Sequence, residues 1–193
     1  MVVTALHERP RGRVEIQLDG SPWRLVPAAA VVRSGLQVGR PLDRETARTL
    51  GRELRHADAL ARAARALGPR DRSRLALDER LARAGVPART RGEALETLER
   101  AGLVDDARMS ARRAEALAAR GYGDAAIRYD LEQEGIAAEL VEEALAELEP
   151  ERERARALVE RRGAEARTGR WLAARGFDPA TVEDSLGGVA KEA

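Results

Sequence analysis

The chain of 193 residues contains no cysteine, which excludes disulfide frameworks, thiolate metal sites and cysteine nucleophiles. Aromatic residues make up 3%, too few for several large conventional cores. Ala, Leu and Val must do the packing, which suits thin three-helix modules better than one thick globule. No apolar run approaches the roughly 20 residues that cross a bilayer, and the N-terminus lacks the basic-then-apolar plan of a secretory signal. A soluble, cytoplasmic protein without a membrane partner is expected. Gly35-x-x-x-Gly39 lacks the Gly-Lys-Ser/Thr ending of a phosphate loop. The two histidines, His7 and His56, stand far apart in the sequence, so no catalytic or metal role is expected for either. An enzyme needs convergent polar groups, and none are discernible. The chain is read as a non-enzyme without cofactor, metal or catalytic residues.

Charge is plentiful, at 35% of residues, but unevenly placed. Residues 1–56 carry ten Arg against six acids, a balance of +4, and residues 57–104 stand at +3. Residues 105–149 carry five Arg against twelve acids, −7, and residues 150–193 stand at +1. Such asymmetry speaks of partners rather than of fold. Every basic residue except Lys191 is arginine, the side chain suited to two-pronged phosphate contacts. A GC-rich genome is the plainer explanation of that bias.

The organising unit is GYGDAAIRYDLEQEGIAAELVEEALAELE, Gly121 to Glu149. Ile127 and Leu131 are four apart and share a helix face. Gly135 is placed to end that helix in the left-handed conformation, with Ile136 beginning the connection. Val141, Leu145 and Leu148 then repeat at helical spacing. The frame recurs as Leu172, Gly176, Phe177, Val182 and Leu186, and upstream as Leu77, Leu81, Gly85, Val86 and Leu95. Leu81, Leu131 and Leu172 fall at a period proper to helical repeats. The expected architecture is mainly α, a tandem and elongated array of three-helix repeats behind a small N-terminal β-hairpin and helical segment.

The expected boundaries are a disordered tail over 1–12, the hairpin segment over 13–56, and repeats over 57–104, 105–149 and 150–193. In the hairpin, Val14, Ile16 and Leu18 alternate with polar residues, and Asp19-Gly20 marks the turn. A helix from Ala28 to Arg33 ends at Gly35. Asp43 caps a helix to about Arg55, and a separate helix is expected from His56 or Ala57 to Leu67, closed by Gly68-Pro69. Ser73 caps the second helix of the first repeat. Met109, Ala116 and Leu117 are expected inward in the second repeat, Pro150 opens the third, and the tail from Gly188 is expected to fray.

These residues resemble the RecX family, the regulatory proteins of the bacterial recombinase RecA. RSRLALDERLARAG (Arg72–Gly85) is similar to the family's Arg-Ser and Leu-x-x-x-Leu-x-x-x-Gly opening. The stretch from Ala101 to Ile136 resembles its Gly-Leu-hydrophobic-Asp-Asp-x-Arg joint, its Gly-Tyr/Pro-Gly turn and its Ile-x-x-x-Leu-x-x-x-Gly-Ile helix. RWLAARGF (Arg170–Phe177) looks like the third-repeat signature. The resemblance covers about residues 13–187. Arg91 departs from it at a usually apolar position, Met109 stands where Phe is common, and Thr168 where Leu is usual. Looser packing of the first and last repeats is expected there, or an edge of the first repeat open to a partner.

The resemblance implies a regulator that binds RecA in the groove of its DNA filament, inhibiting filament extension, ATP hydrolysis and strand exchange, and so modulating recombination, repair and the SOS response. Weaker, non-specific binding of single- and double-stranded DNA and a monomeric state are expected with it. For phosphate contact the candidates are Arg65, Arg70, Arg72, Arg74, Arg80 and Arg83, because arginine meets the backbone by charge without reading bases. A solvated face on an Arg-rich protein explains the same cluster. Arg152, Arg154, Arg156, Arg161 and Arg162 form a second set, though interleaved glutamates favour pairing along the helix. For RecA contact the candidates are Glu139, Glu142 and Glu143 on the acidic repeat and Trp23 on the hairpin. Tyr122 and Phe177 are expected to seal repeat cores. Asp105-Asp106 reads as a helix cap rather than a cation site. Another reading is an autonomous DNA-binding regulator built on helix-turn-helix-like units; a third is a scaffold unrelated to recombination.

Overall fold

The computed structural model describes residues 1–67 and 72–189. Arg70 and the expected Gly68-Pro69 turn lie outside the described residues. Ten helices and one three-stranded sheet make up the described residues, which fall into two compact units. One comprises Met1–Arg70 with Leu77–Leu103, the other Asp71–Ala76 with Val104–Ala193.

In the first unit, β1 (Val3–Arg9), β2 (Arg13–Leu18) and β3 (Ser21–Pro27) form an antiparallel sheet in that order. The Asp19-Gly20 turn closes β2 onto β3, with φ of 49° and 83°. Two successive positive φ values fit the twist of a tight hairpin. The expected tail over 1–12 is instead largely strand. Val3 pairs with Leu18 and is 1% exposed, and its amide donates to the Arg40 carbonyl at 3.0 Å. A hairpin alone would leave β2 with an unpaired edge, and β1 satisfies it. The pattern of β1 hid this, since beyond Val3 its residues are mostly exposed or half-buried.

Val14, Ile16, Leu18 and Val26 pack the sheet on α1 (Ala28–Ser34) and on Leu50 of α2 (Arg44–Leu67). Asp43 caps α2, its Oδ1 accepting from the Thr46 amide at 2.7 Å. The two helices expected on either side of residue 56 are one continuous helix of 24 residues. No proline interrupts that stretch, and Gly51 alone does not break it. The boundary expected at 57 thus falls inside a helix. Farther along α2, Ala59, Ala63 and Ala66 are buried, as are Leu77 and Leu81 of α3 (Arg74–Arg83) and Ala94, Leu95 and Leu98 of α4 (Ala88–Arg100).

The second unit holds α5 (Asp106–Ala119), α6 (Asp124–Gln133), α7 (Ala138–Ala146), α8 (Glu151–Arg162), α9 (Ala166–Ala173) and α10 (Pro179–Val189). Asp105 caps α5 by accepting from the Arg108 amide at 2.9 Å. Ile127, Leu131 and Val141 are 0–1% exposed. Truncating one such leucine to alanine costs about 2–5 kcal/mol. Met109 is buried and Leu117 half-buried as expected, but Ala116 is exposed and Ala114 takes the inward place. Phe177 and Thr168 are buried in the third repeat, and Tyr122 packs partly buried on the second.

One turn recurs in all three repeats. The amide of the apolar residue after the glycine donates back to the buried leucine's carbonyl: Val86 to Leu81, Ile136 to Leu131, both at 3.1 Å, and Phe177 to Leu172 at 3.3 Å. Gly135 holds φ at 74°, the left-handed region a side chain resists.

A joint also recurs, twice within the second unit. The start of α6 meets the end of α9: Gly123 donates to the Arg175 carbonyl at 2.9 Å and Ala125 to that of Gly176 at 3.1 Å, while Glu151 Oε1 accepts the Asp124 amide at 2.6 Å. The start of α3 repeats the pattern. The Ser73 hydroxyl donates to the Glu134 carbonyl, and Asp106 Oδ1 accepts the Arg74 amide at 2.9 Å. Helix-start amides lack partners inside their own helix; at α6 the neighbouring turn and one carboxylate satisfy them, and at α3 a carboxylate takes the Arg74 amide while the Ser73 hydroxyl takes that of Ala76 at 3.1 Å.

Candidate nucleic-acid and protein interface

The alanine stripe of α2 turns Ala59, Ala63 and Ala66 inward, which sets Arg62 and Arg65 on the open side. In α3, burial of Leu77 and Leu81 likewise leaves Arg80 and Arg83 exposed. The result is a cleft of about 360 Å³ with Ala63, Leu77, Leu81 and Ala84 along it and Arg62, Arg65, Arg80 and Arg83 around it. Among the described residues, no carboxylate lines it. Arg62 is tied to Asp58 at 2.7 Å, and Arg83 Nε donates to the Glu79 carbonyl at 3.3 Å. Guanidinium groups around an apolar floor can take phosphate or carboxylate oxygens by charge and paired donors.

Of the sequence candidates, Arg65, Arg80 and Arg83 are therefore brought together. Arg72, half-buried, and Arg74, exposed, belong to the second unit. Arg62 was missed, although it stands three residues before Arg65 and so on the same helix face. A larger cleft in the first unit, about 840 Å³, carries Arg33, Arg52, Arg89 and Arg100 but also Glu53, Glu93 and Glu96. Its charges pair: Arg33 with Glu53 at 3.7 Å and Arg89 with Glu93 at 2.8 Å. The hydrogen bond from Arg89 holds the Glu93 carboxyl below its usual range. His56 also lines this cleft, with its Nδ1 buried and without a partner among the described residues.

Glu139, Glu142 and Glu143 are exposed on α7. Glu142 is engaged by Arg128, whose Nε and Nη2 each donate at 3.0 Å. Glu139 and Glu143 therefore present the acidic face. Trp23 is 41% exposed on β3, and Leu25, two residues on, is 47% exposed.

Arg154, weighed as a phosphate contact, has a structural task. It is 9% exposed, donates at 2.9 Å to the carbonyls of both Glu149 and Tyr122, and pairs with Asp124. Arg91, at a usually apolar position, stays in the packing by pairing with Asp78 at 2.8 and 3.2 Å and donating to the Val86 carbonyl at 3.1 Å. The hydrogen bond to Asp78 raises the protonation range of Arg91 further. Among the described residues, no group of three or more His, Cys, Asp or Glu side chains converges as metal ligands, and no helix is long and apolar enough to cross a membrane.

These features define a tandem three-helix-repeat protein with an N-terminal sheet and charged surfaces. Residues 105–145 match the family model described as RecX, second three-helix domain. The fold is similar to the crystal structure of regulatory protein RecX, with a TM-score of 0.80 and 22% identity, covering 94% of this chain and 97% of that one. It is also similar to RecX from Lactobacillus salivarius, with a TM-score of 0.62 and 15% identity, covering 70% of this chain and 97% of that one. No curated protein matches the sequence significantly. The structural likenesses establish the fold, and the family match covers the second repeat.

Proposed function

We propose that the chain is a non-enzymatic regulator of RecA. It binds RecA in the groove of the RecA–DNA filament and inhibits filament extension, ATP hydrolysis and strand exchange. The match of the second repeat to the RecX family carries this reading, and the shared fold supports it. Repeat arrays suit the task because they present long surfaces to a partner. The acidic face of α7 is directed to basic protein surface, and the Arg-lined cleft of α2 and α3 to DNA phosphates or an acidic patch. A regulator of this kind works in the cytoplasm, as a monomer.

The test is single-stranded-DNA-dependent ATP hydrolysis by the cognate RecA, titrated with this protein at two salt concentrations. Inhibition at substoichiometric ratios is expected, because blocking a filament end silences many protomers. Inhibition only at saturating amounts, abolished by salt, would mean competition for DNA instead. No inhibition would sink the reading.

A further inference from the structure

Within the second unit, three arginines and two aromatic rings stack alternately. The Arg162 guanidinium lies 4.1 Å from the centre of the Trp171 ring, and Arg175 lies 4.4 Å from that ring centre. Arg175 is also 4.8 Å from the Tyr122 ring centre, with Arg120 at 5.6 Å from it. Arg175 Nη1 donates to the Arg120 carbonyl at 2.7 Å, fixing the middle of the stack. Trp171 is seated by Gly121, where a Cβ would stand 3.2 Å from its Cη2. Several other arginines of this unit are held by carboxylates: Arg113 by Asp130 and Glu134, Arg128 by Glu142, Arg154 by Asp124, Arg167 by Glu165. Among the described residues, none pairs with Arg120, Arg162 or Arg175.

We propose that this stack is a binding site for the phosphodiester backbone of single-stranded nucleic acid. A guanidinium stacked on a ring keeps its in-plane N–H donors directed outward, where they suit phosphate oxygens. Three such groups in a row match a chain of successive phosphates better than one isolated anion. Trp171 holds two arginines within cation–π range, at 4.1 and 4.4 Å, so it orders the cations instead of stacking bases. The site therefore binds without base preference and with a steep dependence on salt. Oligonucleotide binding here requires no RecA and is tested without it.

The experiment is fluorescence anisotropy of labelled oligothymidylate and oligoadenylate of equal length, across a salt series, with the full chain and no RecA. Wild type is expected to bind both alike. Arg162→Gln with Arg175→Gln should weaken binding by about tenfold or more and lower the salt slope by roughly one unit per arginine. Arg162→Lys should keep most of the slope, since it retains the charge. A thermal melt of each variant shows whether it is folded. Unchanged affinity and slope in a folded glutamine variant overturns the proposal, leaving the stack a packing device. So does stronger binding of polyglutamate than of oligonucleotide at equal charge, which would assign the surface to an acidic protein. Neither result touches the RecA reading, and loss of that reading leaves this one standing.

Discussion

Gly123 and Gly176 meet back to back where α6 starts and α9 ends. A Cβ on Gly123 would collide with the Gly176 carbonyl and the Phe177 amide nitrogen, and one on Gly176 would lie 2.6 Å from the Ala126 nitrogen. Backbone cannot yield there without losing the Gly123–Arg175 and Ala125–Gly176 hydrogen bonds. Gly123→Ala should therefore cost about 1–3 kcal/mol or more. Gly187, with nothing within 4 Å of its Cβ position, is the control, and alanine there should leave stability unchanged or raised. Urea denaturation of both variants checks this, and equal stability of Gly123→Ala and wild type would refute the joint.

The Arg91–Asp78 pair holds the place where the other repeats put Val141 and Val182. Arg91→Val should destabilise the chain despite restoring the apolar residue, because Asp78 is left half-buried without its partner. Asp78→Leu with Arg91→Val should recover much of that loss. A double-mutant cycle by thermal melting reads the coupling, and additive effects would mean that the pair contributes only shape.

The repeats were legible because one spacing, from leucine to glycine, survives in the sequence three times, followed by valine in two of them, and the leucines Leu81, Leu131 and Leu172 are all buried. The first strand was not, since only Val3 among its seven residues is buried and its pairing depends on β2 lying beside it. The continuity of α2 was hidden by a shift from leucines to small alanines at the inward positions, which reads as a new helix. Arg80 and Arg83 could be paired from helix periodicity, and Arg65 joined them through its closeness in sequence across one turn. The Arg162–Trp171–Arg175 stack could not, because its members come from different helices and turns and meet only through folding.

Asp43 gives a dependence on pH with a definite sign. Its carboxyl is held below the usual range by the Thr46 amide, then by the Thr46 side chain. A depressed carboxyl stabilises the fold above its unfolded value, about 4, and that contribution is lost as the pH falls through the lower folded value. Asp43→Ala should be less stable than wild type at neutral pH, the difference narrowing below pH of about 4. Asp43→Asn keeps a capping oxygen and should show a flatter profile. Denaturation across a pH series decides it, and a difference that persists undiminished in acid would mean that the charge on Asp43 is immaterial.

Charge reversal separates the two surfaces assigned to RecA and to DNA. Glu139 and Glu143 are the positions to change, because reversing Glu142 would also repel Arg128 and disturb α6 against α7. Glu139→Lys with Glu143→Lys should weaken RecA capture severalfold while leaving oligonucleotide affinity equal or slightly higher. Arg80→Glu with Arg83→Glu, which places two acids in a cleft whose described lining has none, should do the reverse, reducing DNA affinity and its salt slope. Surface plasmon resonance on immobilised RecA and anisotropy on oligonucleotide give the two readouts from the same preparations. Equal loss of both activities in either variant would mean that one surface serves both partners, and no loss in either would place the contacts elsewhere.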